Sequence, residues 1–241
     1  MRAAPKRRYP SRTAQSDRVR SSPLQRVFQG HAVLSWRKNM VELRIPVIET
    51  ERLIVRGPTP ADADIWVTFL TDPDFTRYVP RSKVNRPLQE RAERFVANYQ
   101  RRWETQPLSA MGWAATRKAD GQLIGICGIE ELPGTNDGEL DYFLGKPYCG
   151  QGFATEAARA MVRFAFEHTG WDCIIAAIVP ANTASNRVLD HLGFVYEKHV
   201  NYYELTGADS IVMDDPIVAL YALPRERYVP ADTTYRLIES S

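Results

Sequence analysis

Two glycines two residues apart, Gly150 and Gly152, lie between a short alternating stretch and a long apolar-striped run, and this junction leaves few folds open. Upstream, Glu139-Leu-Asp-Tyr-Phe-Leu144 has the alternation and aromatic content of a strand. Downstream, apolar residues recur at Ala154, Ala158, Met161 and Ala165, with Val162, Phe164 and Phe166 widening the stripe until Gly170 stops it. A strand, a glycine turn and a helix in that order aim unpaired backbone N–H groups and the positive end of a helix dipole at one point. The glycines also remove the side chains that would hold a phosphate off the backbone. The junction predicts an anion site for a phosphate or pyrophosphate.

Three motif classes share this layout. A phosphate loop of the Walker type needs Gly-Lys-Ser/Thr at its end, and none is present. A dinucleotide fingerprint needs a third small residue, where Thr155 stands, and an acidic residue at the end of the next strand, whereas Asp172 opens that strand. The third class is a coenzyme A turn of the form Arg/Gln-x-x-Gly-x-Gly/Ala. Gly152 and Ala154 fit its last two positions, and Cys149 stands where Arg or Gln is usual.

The surroundings decide between them. Asp172-Cys-Ile-Ile-Ala-Ala-Ile-Val179 reads as a strand buried on both faces, ended by Pro180. Asn182 to Phe194 then reads as a helix capped by Asn182 with Gly193 just past its end. Taken together, GQGFATEA followed by PANTASNRVLDHLGF resembles the GNAT acetyltransferase superfamily, and within it the RimJ/RimL-type branch that acetylates ribosomal-protein alanine. The opening Ile48-Glu-Thr-Glu-Arg-Leu-Ile-Val-Arg56, with Asp62 and Asp64 after it, carries the same resemblance, which spans roughly residues 46–222.

That resemblance implies an α/β (α+β) GNAT fold, a mixed and mostly antiparallel sheet splayed at the acetyl-CoA site and flanked by helices. It implies an acetyl-CoA-dependent N-acetyltransferase that transfers directly to a primary amine, either a protein N-terminus or a small molecule. The turn Cys149, Gly150, Gln151, Gly152, Phe153, Ala154 and Thr155 would hold the pyrophosphate, and Asn182 would contact the pantetheine arm while also serving as a helix N-cap. Backbone N–H groups around Phe143 and Leu144 would face the thioester oxygen. The tyrosine that serves many relatives as general acid is replaced by Leu189, leaving Ser185 as the candidate acid or as a locally bonded helix hydroxyl. Glu139 and Glu130 lie near the expected acceptor cleft and are the candidate bases. Cys149, at a helix N-terminus that would lower its pKa, invites a nucleophile reading that direct transfer does not use.

Composition bounds the rest. With 44% hydrophobic and 25% charged residues in 241, the chain reads as globular with an ample core. No apolar run reaches the ~18 residues of a membrane span, so no membrane partner is expected and the compartment reads as cytoplasmic. Cys127, Cys149 and Cys173 and four scattered histidines show no disulfide framework or metal spacing, so no metal is expected. The net charge of +2 hides an asymmetry, since residues 1–39 hold ten Lys/Arg against Asp17 alone and the remainder is acidic. This arm is expected to be disordered. It reads as a ribosome or RNA contact, an organelle-import peptide, or an extension ahead of Met40 without catalytic consequence. The domain is expected over 46–222, with a polar tail at 223–241, acting as a monomer or homodimer.

The remaining elements follow from pattern. Residues 41–57 are expected to hold one first strand region, broken by Pro58 and Pro60. One helix should start at Asp62 or Asp64 and a second run from Pro87 to Trp103. Ala110–Thr116 and Gln122–Ile129 should form a hairpin, with Gly125 and Gly128 marking a bulge or close neighbour. Val195–Leu205 and Ile211–Ala222 read as a closing antiparallel pair.

Overall fold

The computed structural model describes residues 47–105 and 111–238, and the basic arm falls outside the described residues. The first apolar stretch is not one strand within the described part. It turns back at Thr50, whose N–H donates to the Leu53 carbonyl at 2.9 Å, giving a hairpin of β1 (Val47–Glu49) and β2 (Leu53–Arg56). Helix α1 (Asp62–Thr71) starts at the first of the two expected aspartates. Asp62 accepts a bidentate pair from Arg56 at 2.8 and 2.9 Å and the Thr59 N–H at 2.6 Å. Burial alone would raise its carboxyl, but Arg56 and Thr59 outweigh it and hold Asp62 below the usual range.

A short α2 (Pro73–Thr76) follows, then β3 (Arg81–Ser82), α3 (Leu88–Thr105) and the expected hairpin of β4 (Met111–Arg117) and β5 (Leu123–Glu131). The hairpin register shifts beside Ala115. Gly125 lies opposite that shift and has a close neighbour as well, since a Cβ there would lie 2.1 Å from the Phe143 carbonyl oxygen of β6. Strand β6 (Asp137–Leu144), helix α4 (Phe153–His168), strand β7 (Cys173–Ile178) and helix α5 (Thr183–Leu192) then form the predicted core of the chain.

The C-terminal region departs from expectation. Strands β8 (Val195–Asn201) and β10 (Ile217–Pro224) pair antiparallel, but residues between them do not extend the pair. Asn201 accepts the Tyr203 N–H and caps a helical turn, α6 (Tyr202–Thr206), while β9 (Ile211–Val212) pairs with β3 more than 120 residues earlier. The expected polar tail carries a short strand of its own. Its β11 (Arg236–Ile238) joins the sheet edge beside β1, and the Arg225 guanidinium donates to the carbonyls of Phe166, Thr169 and Trp171 at the end of α4.

Among the described residues the main sheet runs β11-β1-β2-β4-β5-β6-β7-β10-β8, antiparallel throughout except for β6 beside β7. Helices α4 and α5 cover one face through Met161, Phe164, Ala158 and Leu189, packed on Ile124, Ile129, Leu140 and Ile174. Helices α1 and α3 cover the other through Trp66, Phe69, Ala92 and Val96, on Ala114, Leu123 and Ile126. These two cores make the sheet rigid around the one place where it opens.

Candidate active site

Strand β6 pairs with β5 along its length, from Glu131↔Gly138 to Gly125↔Leu144. With β7 it pairs only over Asp137, Gly138 and Glu139, after which the two strands diverge. The divergence leaves the β7-facing backbone of Leu140–Leu144 without strand partners. Which N–H groups face the gap follows from ladder alternation. Gly145 donates to Ile124 and the Phe143 carbonyl oxygen lies against Gly125, so Gly145 and Phe143 turn toward β5. Tyr142 and Leu144 turn their N–H groups into the gap, so of the two expected positions only Leu144 presents its amide there.

The glycine turn closes one end of this gap. Gly150 and Gly152 take left-handed φ values of 73° and 83°, and Gly152 is the N-cap of α4. The first intrahelical bond is Glu156 N–H to Gly152, so the amides of Phe153, Ala154 and Thr155 have no helical acceptor. They open on a cleft of about 440 Å³ walled by Cys149, Gly150, Gly152, Phe153, Ala154 and Thr155 on one side and Asn182, Ser185 and Arg187 on the other. Gln151 belongs to the turn but not to this wall, because its side-chain amide donates to the Pro147 carbonyl. A glycine cradle with free amides at the head of a sixteen-residue helix fits a pyrophosphate.

The family-like opening has a physical role at this turn. Glu156, in the first turn of α4, accepts from Thr50 Oγ1 at 2.6 Å, from the Arg52 N–H at 2.7 Å and from Arg52 Nε at 2.6 Å. Arg52 also donates to the Gln151 carbonyl at 3.0 Å and lies 4.4 Å over the Phe153 ring. The β1–β2 turn thus clamps the glycine turn from outside. Opposite it, Lys146 pairs with Asp74 of α2, and the Tyr78 hydroxyl donates to the Ala181 carbonyl at 3.4 Å, so the 74–78 segment bridges the two lips of the gap.

Beneath that bridge the cleft meets a second cavity of about 230 Å³, with Phe75, Tyr78, Tyr142, Phe143, Asn182 and Ser185 on the wall of both. The structure brings Ser185 and Asn182 to this junction. Asn182 accepts the Ser185 N–H at 3.2 Å, the expected cap, and the Tyr142 hydroxyl donates to the Ser185 carbonyl at 3.1 Å. Leu189, where a tyrosine acid would stand, is fully buried in the core under α4.

The two candidate bases lie on one sheet face, directly opposite each other across β5 and β6. Glu130 is committed to Arg102 at 2.6 Å and to the Tyr99 hydroxyl at 3.2 Å. Glu139 is 7% exposed, and its Oε1 has no hydrogen-bond partner. Burial first, then Asp141 and Glu130, push its carboxyl well above the usual range. Asp141 was not singled out by sequence, although it sits two residues from Glu139 on the same face and lines the second cavity. Burial and the neighbouring Glu130 push its carboxyl up to about 7, a value suited to proton transfer near neutrality. The signal was present in the alternation Glu139-Leu-Asp141, two acids on the same side of a buried strand. Cys149 corrects another expectation, since burial and then Asp72 raise its thiol rather than the helix lowering it.

Asp172 sits at the opposite end of the sheet from the turn, because β6 and β7 run parallel and Asp137 pairs with Cys173. That distance removes the dinucleotide reading. Among the described residues there is no cluster of three or more His, Cys, Asp or Glu arranged to hold a metal, and no helix long and apolar enough to cross a membrane.

Known proteins are similar to this chain. The acetyltransferase (GNAT) domain family matches residues 52–195. An uncharacterized N-acetyltransferase of Bacillus licheniformis, p20, is 30% identical over 160 residues, covering 64% of this chain and 85% of its own. A GNAT-family acetyltransferase structure from Bacillus anthracis superimposes with a TM-score of 0.60 at 23% identity, over 75% of this chain and 99% of that one. The ribosomal-protein-S5-alanine acetyltransferase of Vibrio fischeri superimposes with a TM-score of 0.57 at 20% identity, over 76% and 98%.

Proposed function

Because the chain belongs to the GNAT acetyltransferase family, whose donor is acetyl-CoA, we propose that it moves an acetyl group directly from acetyl-CoA to a primary amine. The observation that carries this reading is the opening between β6 and β7, with the glycine turn at one end and a second cavity at the other. In this reading the amides of Phe153, Ala154 and Thr155 take the pyrophosphate and the pantetheine arm lies along the free edge of β6. One N–H group of that edge, that of Tyr142 or of Leu144, receives the negative charge that develops on the thioester oxygen.

The amine enters from the second cavity. It gives a proton to a carboxylate of the β6 face, Asp141 with Glu139 behind it; Glu130 fixes the field through Arg102. As the nitrogen–carbon bond forms and the carbon–sulfur bond breaks, the sulfur takes a proton from a hydroxyl at the junction, for which Ser185 is the candidate, and the hydroxyl regains a proton from the second that the nitrogen loses. Starting from an ammonium ion, one proton is released overall.

One observation supports a second reading. The buried Leu189 leaves no tyrosine where relatives carry their acid, which suits a chain that binds acyl-CoA without turnover. Thiol release from acetyl-CoA, measured with amines and with peptides bearing free Ala or Ser ends, separates the two. Release dependent on an amine supports transfer; CoA binding with no release for any acceptor supports the binding module. A third possibility, RNA binding through 1–39, lies outside the described residues and is tested by deleting that arm.

A further inference from the structure

The second cavity has a composition that selects among amines. Its wall is aromatic, with Trp66 stacked on Phe95 at 4.5 Å and Phe95 tilted against Tyr99 at 4.6 Å between ring centres, joined by Phe75 and Tyr202. Asp141 is the acid on that wall, and its partner across the β5–β6 ladder is Gly128, which adds no side chain beside it. Three carboxyl groups, Glu130, Glu139 and Asp141, share this face. The guanidinium of Arg102 is engaged by the first of them, and a buried Glu139 oxygen has no partner. A bound ammonium would give Glu139 and Asp141 the cation that Arg102 gives Glu130, and the rings would stabilise both the cation and an apolar body behind it.

The far wall limits what that body can be. The two-residue ladder of β3 and β9, backed by the Arg81–Asp214 ion pair, carries Pro80, Ile211 and Met213 to the cavity. Among the described residues the wall contains no Lys, Arg or His to meet a substrate carboxylate or phosphate. About 230 Å³ accommodates one ring or a short branched chain with its amine.

We propose that the acceptor is a small primary amine on a compact apolar or aromatic body without an acidic group, its ammonium held at Asp141, rather than an amino acid or the N-terminus of a polypeptide. This rests on the acetyltransferase reading above. The test uses the full chain and acetyl-CoA, with thiol release read for phenethylamine and isobutylamine, for phenylalanine, and for a tetrapeptide beginning with Ala. Phenethylamine differs from phenylalanine only by the carboxylate, so the pair reports that group directly.

The expected result is a kcat/KM for the two simple amines at least ~100-fold above that for phenylalanine or the peptide, the scale on which an unmatched buried polar group discriminates. Asp141→Asn should lower kcat/KM for phenethylamine by ~100-fold while leaving CoA affinity, read by calorimetry, within about twofold. Turnover of phenylalanine or of the peptide at a rate equal to the amines overturns the proposal and leaves acetyl transfer standing. CoA binding without release for any acceptor, or no CoA binding at all, overturns both.

Discussion

Glu156 is where the account can be tested by a single side chain outside both cavities. Replacing it by alanine removes three hydrogen bonds at once, two from Arg52 and one from Thr50. The guanidinium contact deserves little weight in stability, because the Arg52 side chain is 42% exposed and water screens it; such pairs are worth ~0–1 kcal/mol. The Thr50 hydroxyl and the Arg52 amide are different, since the carboxylate they meet has a side chain only 16% exposed. Charge-assisted bonds of that kind contribute ~1.5–3 kcal/mol where solvent is excluded, so with partial exposure the sum is about 2–3 kcal/mol. For a domain of this size that lowers Tm by roughly 5–10 °C. Glu156→Gln keeps a neutral acceptor for Thr50 and the Arg52 amide, and should cost about 1 kcal/mol, or ~2–4 °C. Calorimetric melting orders the three proteins, and titration with CoA reads the turn itself. Because Arg52 also holds the Gln151 carbonyl and covers Phe153, CoA affinity should fall in the same order as stability. Equal Tm and CoA affinity in Glu156→Ala would refute the idea that the β1–β2 turn clamps the anion site.

Two further predictions concern Ser185, at the junction of the cavities, and Asp141, on the wall of the second. Ser185→Ala should lower kcat by ~100-fold, the lower end of general-acid effects, with CoA affinity within about twofold; unchanged turnover would leave Ser185 a helix-face hydroxyl only. Asp141, with its folded pKa raised from 3.8 to about 7, holds a proton that the unfolded chain releases. Its contribution to stability is therefore full below about 4 and lost as pH rises to about 7. Wild type should lose more stability between pH 5 and 8 in urea melts than Asp141→Asn does. Its kcat/KM for amines should rise over the same range as the carboxylate ionises among Glu130, Glu139, Tyr99 and Tyr202. Parallel stability profiles for the two proteins would contradict the assignment of that titration to Asp141.

Much of the donor side was legible because its signals are local. Gly150 and Gly152 sit where backbone φ is left-handed, Asn182 and Gly193 cap α5 as their types suggest, and the apolar run before Pro180 is the buried β7. What sequence could not supply were pairings between distant residues. The β3–β9 ladder joins Arg81 to Val212, and β11 reaches β1, through two- and three-residue strands with no period long enough to read. Such short strands exist only because the surrounding packing brings them together.

The acceptor side was harder for a related reason. Glu130 and Glu139 could be named as acids near a cleft, but nothing in their spacing says that Arg102, 28 residues away, engages the first and leaves the second without a partner for one oxygen. Asp141 shares the alternation of Glu139 in sequence, but that its face is covered by α3 and lines a cavity is a tertiary fact. Arg52 and Glu156 are each part of a recognisable segment, yet their connection spans 104 residues.

The central claim is that the glycine turn at the head of α4 holds the donor, and titration calorimetry of CoA against wild type and Gly152→Val tests it most directly. At φ 83° a β-branched residue is strained by ~1–2 kcal/mol, and its Cβ would stand 3.4 Å from Arg52 Nη2, so it disturbs both the turn and its clamp. A folded variant, with wild-type far-ultraviolet circular dichroism, that no longer binds CoA is the predicted result. Undiminished CoA affinity in that folded variant would contradict the account.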